Sequence, residues 1–565
     1  MQSLFKLLSL SKFFLLIFIV GFIVYFNALF NGFAFDDFPQ VVDNPYVHSL
    51  EYVYKIFSGP TFNYGASSEL SGAYYKPIMS AMFAVIYTIF GEKAFFFHLF
   101  QLSVHIFNSI FIYLLLKNFI KRNISFFLSL VFLVHPINVE AVSYISALQD
   151  ALYLFFGIIA FFIAKNKEKG LIRNIFLIVL LILSILSKET GFLFLPIIFI
   201  YQFLFDKKKN RIFVFLSIIP IGLYLLMRLI IAEVHFQTPQ LAPITYFSLG
   251  ERLLNIPYIF YFYLKTFIFP SNLIAVHFEA YKILDFGIFF LPLIVVIVFS
   301  SLVILEAKNL FHENKKQFNY FLFFSLWFFL GIGLHFQIFP LDMTVADRWF
   351  YFPMVGLLGM IGVVLSNLKI NKKILIYFGI LLSIAIIFIF SFRTIARNSN
   401  WKDSLSLFTH DIKVQKDNFE LQALMGYELN KVGKYDQAID YLEKSLKSYI
   451  QSPVLNNLGT AYARKGDIEK ALEYLRRALK VEEDESIRQN ISYLLINNKE
   501  SAEAEKFIEE SLVVFPSNPV LWIYLAIVKN RMGNISVAKT AAQQCFNLSG
   551  NEKCFSYDSY KNIKL

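Results

Sequence analysis

Long apolar runs constrain this chain more than any other feature. A helix needs about 20 consecutive apolar residues to cross a bilayer. Hydrophobic residues make up 57% of the 565 positions and charged residues only 16%, far from the composition of a soluble domain. We therefore predict an all-α, polytopic membrane protein whose eleven spans lie near 11–30, 95–116, 124–136, 149–164, 171–187, 190–205, 211–232, 285–305, 318–338, 349–366 and 374–392.

Two further apolar helices, near 76–91 and 252–269, could be spans or could lie on the membrane surface. If both lie on the surface, the loops on the side of the amino terminus hold seventeen Lys and Arg residues, and the longer loops opposite hold eight. Basic residues collect in cytoplasmic loops. The distribution predicts a cytoplasmic amino terminus and an extracytoplasmic carboxyl terminus, in a periplasm or a lumen of the endoplasmic reticulum. The net charge of +11 then reflects topology, and no nucleic-acid partner is expected.

After Trp401 the chain becomes polar and repeats itself. Small residues return every 33 or 34 positions, at Ala438, Ala471, Ala504 and Ala538. This period is typical of tetratricopeptide repeats. We predict an α-solenoid of three to four repeats over 401–565, the third of them degenerate. Such arrays bind partners on a concave face, and the alternative is a passive stabilising cap.

Only two cysteines occur, Cys545 and Cys554, and both lie in the last segment of the chain. This number supports neither a zinc site nor a disulfide framework. The two thiols could still form a single bridge.

The pair Asp36-Asp37 follows the first apolar run and opens a long polar loop, 31–94, on the predicted extracytoplasmic side. Ionisable groups beside lipid are costly and mark functional sites more often than surface charges of soluble proteins do. Two carboxylates at a membrane surface therefore suggest chemistry on a lipid-carried substrate. The alternative is that they cap a short helix of the loop.

One predicted helix carries a polar stripe. His98, Gln101, His105 and Asn108 are spaced by three, four and three residues and so share one face of the helix near 95–116. A polar face at membrane depth must meet protein or water. We expect hydrogen bonding between helices, with the two histidines partly lining a site, in preference to a metal centre.

The remaining unusual polar residues also fall on the predicted extracytoplasmic side. His135 and Glu140 follow the third span, where the histidine either contacts a phosphate or sugar or caps a helix, and Asp150 begins the next span. Lys188 and Glu189 occupy one short turn, where they could pair with each other or the lysine could hold a lipid phosphate. The other candidates for phosphate oxygens are Arg228, within the seventh span, and Arg348, which adjoins a possible salt-bridge partner in Asp347.

These motifs, in this order, resemble the transmembrane and tetratricopeptide repeat-containing proteins, a family of protein O-mannosyltransferases in the GT-C class of membrane glycosyltransferases. The resemblance covers essentially the whole chain. It departs from the family where Gln149 precedes Asp150 in place of an Arg. The motifs of this chain that carry the resemblance are Phe35-Asp36-Asp37 with Asn44-Pro45, Lys76-Pro77, His98 with His105, His135-Pro136 with Glu140-Ala141-Val142, Ser187-Lys188-Glu189, Asp347-Arg348 with Tyr351, and Asn400-Trp401-Lys402-Asp403.

The resemblance implies a GT-C-like transmembrane domain over 1–400 that transfers one hexose, mannose-like, from a polyprenyl-phosphate sugar to an acceptor hydroxyl with inversion. The first-loop acid, Asp36 or Asp37, is then the general base. Lys188, Arg228 and Arg348 hold the departing phosphate, with Glu189, His135, Glu140 and Asp150 around the donor and Lys76 lining the site. No cofactor is required, and a divalent ion at the aspartate pair is the alternative. The repeats would bind the acceptor polypeptide.

Two other functions stay open from the sequence. The chain could be a glycosyltransferase that acts on a lipid or a polysaccharide, which shares all the residues named above. It could also be a non-catalytic membrane scaffold whose repeats recruit partners, although that leaves the ring of ionisable residues without a task.

Overall fold

A computed structural model describes residues 2–62, 70, 72–166, 170–206, 211–236, 242–369, 372–498 and 500–559, with the side chains of 2–10, 211–215 and 557–559 left out. The basic loops at 165–173, 206–211 and 367–373, on which the predicted topology depends, lie partly outside these residues. The chain forms two compact units that meet in sequence between Asp411 and Ile412.

The described residues are almost entirely helical and contain no β-strand, only isolated bridges such as the antiparallel one between His277 and Val345. The all-α prediction is confirmed. The first unit contains α1 (Gln2–Tyr25), α2 (Val53–Phe57), α3 (Pro77–Phe90), α4 (Ala94–Leu116), α5 (Arg122–Val134), α6 (Val139–Ser143), α7 (Leu148–Lys165), α8 (Leu171–Ser187), α9 (Phe194–Phe205), α10 (Arg211–Leu225), α11 (Leu249–Leu254), α12 (Ile256–Ile268), α13 (Leu291–Glu313), α14 (Lys315–Gly333), α15 (Tyr351–Asn367) and α16 (Lys373–Asn400), and α17 (Ser404–Val414) leads out of it.

Six helices of the described residues are long and apolar enough to cross a bilayer, or seven if a bent pair counts as one span. The predicted spans near 171–187 and 190–205 correspond to the short helices α8 and α9, of 17 and 12 residues. A 17-residue helix is only about 25 Å long at 1.5 Å per residue, less than the hydrocarbon thickness of about 30 Å. The count of eleven spans therefore stays a prediction. The six are Ser11–Phe30, Ala94–Leu116, Ile145–Lys165, Phe286–Glu313, Asp347–Asn367 and Lys373–Asn400.

The bent pair consists of α5 and the segment Pro136–Ser143, and it shows how the sequence places polar groups at the end of a span. α5 ends at Val134 because His135 is extended and Pro136 follows, and a proline cannot continue the hydrogen-bond ladder. The segment Pro136–Ser143 then leaves at 48°. This change of direction turns Glu140 and the following loop across the end of the bundle.

Glycines let α14 and α15 pack closely. A Cβ atom at Gly356 of α15 would lie 2.8 Å from the backbone oxygen of Phe324 in α14, and nearer still to the backbone nitrogen of Phe328. Backbone atoms cannot move aside as a flexible side chain can. The absence of a side chain at this position therefore sets the distance between the two helices.

The second unit consists of antiparallel helix pairs. A Cβ at Gly426 would meet Leu442, and a Cβ at Gly459 would meet Leu475, so positions 33 residues apart make equivalent contacts. This equivalence confirms the predicted repeat. The pairs are α18 (Phe419–Lys431) with α19 (Tyr435–Ser448), α20 (Ser452–Lys465) with α21 (Ile468–Val481), α22 (Glu485–Asn497) with α23 (Ser501–Val514), and α24 (Pro519–Arg531) with α25 (Ile535–Ser549).

The turns within three of the helix pairs share one backbone conformation. Gly433, Gly466 and Gly533 adopt positive φ values of 77°, 87° and 81° between the helices of the first, second and fourth pairs, a conformation that glycine reaches at little cost. The equivalent residue of the third pair, Lys499, lies outside the described residues. After the last helix, Cys545 and Cys554 are joined by a disulfide, which settles the pairing that the sequence left open.

Replacing Gly356 by Ala should destabilise the first unit, because the new methyl group would overlap the backbone of α14. We expect a loss of about 1–3 kcal/mol, the usual cost of overpacking. Thermal unfolding of the purified protein in detergent measures it. Gly379→Ala is the matched control, since nothing lies within 4 Å of its Cβ position in α16. Equal melting temperatures for the two variants would contradict the packing described here.

Candidate active site

The aspartate pair lies in the loop after α1, and its two members have different surroundings. Asp37 is buried, and both of its carboxylate oxygens are occupied. Oδ2 accepts a hydrogen bond from the backbone N–H of Ala34 at 2.9 Å. Oδ1 accepts one from the backbone N–H of Ser146 at 2.8 Å and one from its hydroxyl at 2.7 Å. Asp37 therefore ties this loop to the turn that precedes α7.

Asp36 has none of these ties. Its side chain is half-buried, and it forms no ion pair within 4 Å with any described residue. Burial raises the pKa of its carboxyl group, and the Tyr144 hydroxyl, Arg348 and Lys76 act in the opposite direction. Burial also raises the pKa of Asp37 to about 7. Asp36 is thus the member of the pair that is free to accept a proton from a ligand.

The backbone beside the pair is held in an uncommon conformation. Phe35 has a φ of 55°, in the left-handed region that side chains with a Cβ seldom adopt. Its N–H donates to the Ser404 hydroxyl at 2.9 Å, and the N–H of Gly32 donates to the Lys402 carbonyl at 2.8 Å. The loop is therefore fixed from the side of the chain that leads into α17 as well as from the side of α7.

Three ion pairs lie among the predicted site residues, and they join distant parts of the sequence. Lys188 pairs with Asp150 at 2.6 Å. This contact shows that the suggested pairing between Lys188 and Glu189 is wrong, because their side chains turn to different partners. Lys188 is extended between α8 and the turn Glu189–Leu193, which directs the two neighbours apart.

Glu189 instead pairs with Arg228, whose guanidinium also donates to the Tyr224 hydroxyl at 2.7 Å and to the Val234 carbonyl at 3.1 Å. A further N–H donates to the Ala73 carbonyl at 3.0 Å. Arg228 is buried, and its donors are largely used within the protein. It therefore positions the segment that leads from Ala73 to Lys76.

Arg348 pairs with Glu140, which also accepts the backbone N–H of Arg348 at 2.9 Å. The sequence suggested Asp347 as its partner, and this suggestion is wrong. Consecutive residues of the turn Asp347–Phe350 point in different directions, and the Oδ1 atom of Asp347 is buried without a hydrogen-bond partner among the described residues.

Lys76 is the buried cation that lacks a carboxylate partner. It is 7% exposed, and its Nζ lies 4.3 Å from the centre of the Tyr74 ring. No carboxylate of the described residues lies within 4 Å of it. Burial, followed by the charge of Lys188, lowers the pKa of Lys76 to about 8. A buried ammonium group next to another cation favours the binding of an anion.

The predicted histidines lie outside this group of charges. His105 binds the Tyr351 hydroxyl at 2.7 Å and the Leu133 carbonyl at 2.9 Å. Both ring nitrogens of His135 are also used, one by the N–H of Ile137 at 3.1 Å and one by the Phe267 carbonyl at 2.9 Å. His98 approaches the Gly32 carbonyl at 3.4 Å. Within the described residues these contacts are structural.

The rest of the polar stripe of α4 likewise bonds to other helices. Gln101 donates to the carbonyls of Ala141 and Tyr144 at 2.9 and 2.7 Å. Asn108 donates to the Ala151 carbonyl at 2.9 Å. The predicted hydrogen bonding between helices is confirmed.

Sequence reasoning missed three residues near Asp36 and Lys76. The Tyr74 hydroxyl donates to Asp342 Oδ2 at 2.6 Å. Tyr144 stacks on Trp401 with ring centres 4.9 Å apart and acts on Asp36. Tyr74 is adjacent to a motif and could have been included on that ground. Asp342 is a single acid in a loop, and no pattern in the sequence distinguishes it.

Several known proteins are similar in sequence to this chain. A tetratricopeptide repeat model matches residues 420–484. The chain is 26% identical over 417 residues to the protein O-mannosyl-transferase F38B6.6 of Caenorhabditis elegans. The matched region covers 73% of this chain and 58% of that protein. It is 23% identical over 463 residues to the protein O-mannosyl-transferase TMTC3 of Homo sapiens, and this match covers 74% of this chain and 49% of that protein. The chain spans about half the length of the curated relatives it matches.

Solved structures overlap this chain only in part. YrrB, described as a tetratricopeptide protein with an unusual peptide-binding site, is 17% identical and covers 28% of this chain and 81% of its own, with a TM-score of 0.25. MamA is 15% identical and covers 26% of this chain and 86% of its own, also with a TM-score of 0.25. Neither overlap bears on the membrane unit.

The apolar helices and the repeat unit define a membrane protein that carries a tetratricopeptide solenoid. The chain is similar to proteins named protein O-mannosyl-transferases, in agreement with the resemblance found in its sequence.

The two aspartates should differ in their effect on stability. Asp37→Ala would leave the buried N–H groups of Ala34 and Ser146 without an acceptor, at roughly 1–3 kcal/mol for each unpaired group. We expect a clear fall in melting temperature. Asp36→Ala removes no such contact and should melt close to the wild type. Thermal unfolding in detergent compares the two, and a larger loss for Asp36→Ala would show that the roles are reversed.

Proposed function

We propose that this chain transfers a mannose-like hexose from a polyprenyl-phosphate sugar to hydroxyl groups of an acceptor, Ser or Thr of proteins, on the extracytoplasmic side of a membrane. The observation that carries the proposal is the presence in one site of a carboxylate without an ion pair, Asp36, and a buried ammonium, Lys76, that has no carboxylate within 4 Å among the described residues. Such a pair matches the two demands of the reaction, a proton acceptor and a site for an anionic leaving group.

Asp36 acts as the general base. The acceptor oxygen attacks the anomeric carbon of the hexose while its proton passes to the Asp36 carboxylate, and the bond from that carbon to the phosphate oxygen breaks. The lipid phosphate leaves with the electron pair. Because the acceptor oxygen attacks from the face opposite the phosphate, the configuration at the sugar inverts. Asp37 contributes by holding the loop, since both of its oxygens are engaged elsewhere.

Lys76 and Lys188 hold the departing phosphate, with Arg348 near them. Lys76 has no carboxylate within 4 Å among the described residues, and the Lys188 side chain is 13% exposed beside Asp150. These cations stabilise the negative charge that grows on the phosphate as the bond to the sugar breaks. Arg228, which the sequence placed in this role, instead holds the backbone at Ala73 and so keeps Lys76 in position.

This assignment of roles requires no cofactor. The oxygens of Asp37 already accept three hydrogen bonds, so little of its acceptor capacity is left for a divalent ion at the aspartate pair. The lysines supply the positive charge that a metal would otherwise bring to a monophosphate leaving group.

The names of the relatives and the repeat unit support a protein acceptor. The proteins that match most of the membrane unit are named protein O-mannosyl-transferases. The helix pairs from Phe419 to Ser549 form an array of a kind that binds polypeptides. We infer that the repeats bind the acceptor polypeptide. The extracytoplasmic orientation rests on the excess of Lys and Arg in the loops on the other side.

The decisive experiment compares Asp36→Asn with wild-type protein in proteoliposomes that contain polyprenyl-phosphate mannose and a Ser/Thr-rich peptide. Loss of a general base should lower the transfer rate by roughly 100- to 10,000-fold, while binding of the donor lipid is retained. Asp43→Asn is the control, because Asp43 is exposed in the same loop. Full transfer by Asp36→Asn would show that Asp36 is not the base, no transfer by the wild type would favour a scaffold, and transfer only to lipid acceptors would favour the glycolipid alternative.

Binding of polyprenyl phosphate should depend on pH through Lys76. The pKa of Lys76 is lowered to about 8, so the empty site carries this positive charge below that pH and loses it above. Because a bound phosphate stabilises the ammonium, we expect affinity to decline progressively as the pH rises past 8. Lipid-binding measurements on either side of this pH test the prediction.

The conservative variant Lys76→Arg serves as the control for that titration. Its guanidinium stays charged throughout the accessible range, so the decline in affinity should become weaker. An identical decline in Lys76→Arg and wild type would assign the pH dependence to another group.

A further inference from the structure

Asp342 and Tyr74 form a hydrogen-bonded pair beside the charges of the site. The Tyr74 hydroxyl donates to Asp342 Oδ2 at 2.6 Å, and the Tyr74 ring lies against the ammonium group of Lys76. Asp342 is half-buried, and Tyr74 is its hydrogen-bond donor among the described side chains. The carboxylate therefore has acceptor capacity that the protein does not use.

The loop that carries Asp342 is rigidly held. Gln337 is fully buried and adopts a φ of 57°, a conformation that costs energy for a residue with a side chain. Its side chain donates to the carbonyls of Met343 and Thr344 at 2.7 and 3.0 Å and accepts from the N–H of Leu341 at 2.9 Å. Both neighbours of Asp342 are fixed in this way, so its carboxylate is presented in one position.

The charges around Asp342 indicate which part of the substrate it faces. It acts electrostatically on Asp36, the proposed base, and on Lys76, the proposed phosphate ligand. A carboxylate would repel the phosphate itself. The hexose carries the attacked carbon and so lies between the base and the phosphate, and it is neutral and rich in hydroxyl donors.

We propose that Asp342, oriented by Tyr74, accepts hydrogen bonds from ring hydroxyls of the donor hexose and thereby determines which sugar is transferred. This assignment rests on the proposed function. A site built to bond a hydroxyl discriminates against sugars that present it elsewhere or lack it, because the acceptor then loses that hydrogen bond. Asp342 contacts the sugar, and Tyr74 acts through Asp342 as a positioning residue.

The test measures the binding of two lipids, polyprenyl-phosphate mannose and sugar-free polyprenyl phosphate, to the full-length protein. Asp342→Asn should bind the mannosylated lipid about tenfold more weakly, the effect of one hydrogen bond to a charged group, and the sugar-free lipid as tightly as wild type does. Tyr74→Phe keeps the ring beside Lys76 and should produce a smaller change of the same kind. Lys76→Met should weaken both lipids together.

The control and the contrary results separate this assignment from the proposed function. Asp43→Asn should leave both affinities unchanged. If Asp342→Asn and Tyr74→Phe bind both lipids as wild type does, or lose both to the same degree, the role of Asp342 is overturned while the proposed function stands. If the wild-type protein binds neither lipid, the proposed function fails, and this assignment fails with it.

Discussion

The cost of burying charge governs the membrane unit of this protein. An ionised group removed from water needs an opposite charge and hydrogen bonds to remain stable. Lys188, Arg228 and Arg348 each meet this need with a carboxylate from a different part of the chain. Because removal of one partner would strand the other in a poorly hydrated place, these pairs fix how the helix ends and loops of the first unit meet.

Lys76 has no such carboxylate within 4 Å among the described residues. The proposed binding of a phosphate depends on this difference. The fold holds Lys76 in place through its backbone N–H, which donates to the Thr61 hydroxyl, and through Arg228, which binds the carbonyl of Ala73. The protein thus maintains a positive charge at a defined position, with no carboxylate of the described residues within 4 Å. A bound phosphate would complete the balance of charge, and departure of a lipid phosphate in catalysis would be favoured at the same place.

The sequence revealed the class of fold and pointed to residues of the candidate site, and local rules explain why. Apolar runs and a repeat of 33 or 34 residues are periodic signals that few other folds share. The polar stripe of α4 also followed from spacing alone. These features depend on residues close together in the chain, which is the range over which a single sequence is informative.

The partners of the charged residues could not be found in this way. Glu140 and Arg348 are 208 positions apart, and Asp150 and Lys188 are 38 apart. Adjacency in the sequence suggested Asp347 for Arg348 and Glu189 for Lys188, but successive residues of an extended segment or a tight turn point in different directions. No neighbouring residue in the sequence distinguished Asp342. Its proposed role follows only from its hydrogen bond with Tyr74 and from the contact of Tyr74 with Lys76.

The hydrogen bonds between Asp37 and Ser146 organise the site before a ligand binds. Because they lock the first loop to the start of α7, the neighbouring carboxylate keeps its place relative to the bundle before any ligand arrives. A preset base requires no rearrangement at the moment of reaction. The slow events of a catalytic cycle would then lie in the movement of the long lipid chains through the bilayer to and from a site that itself stays still.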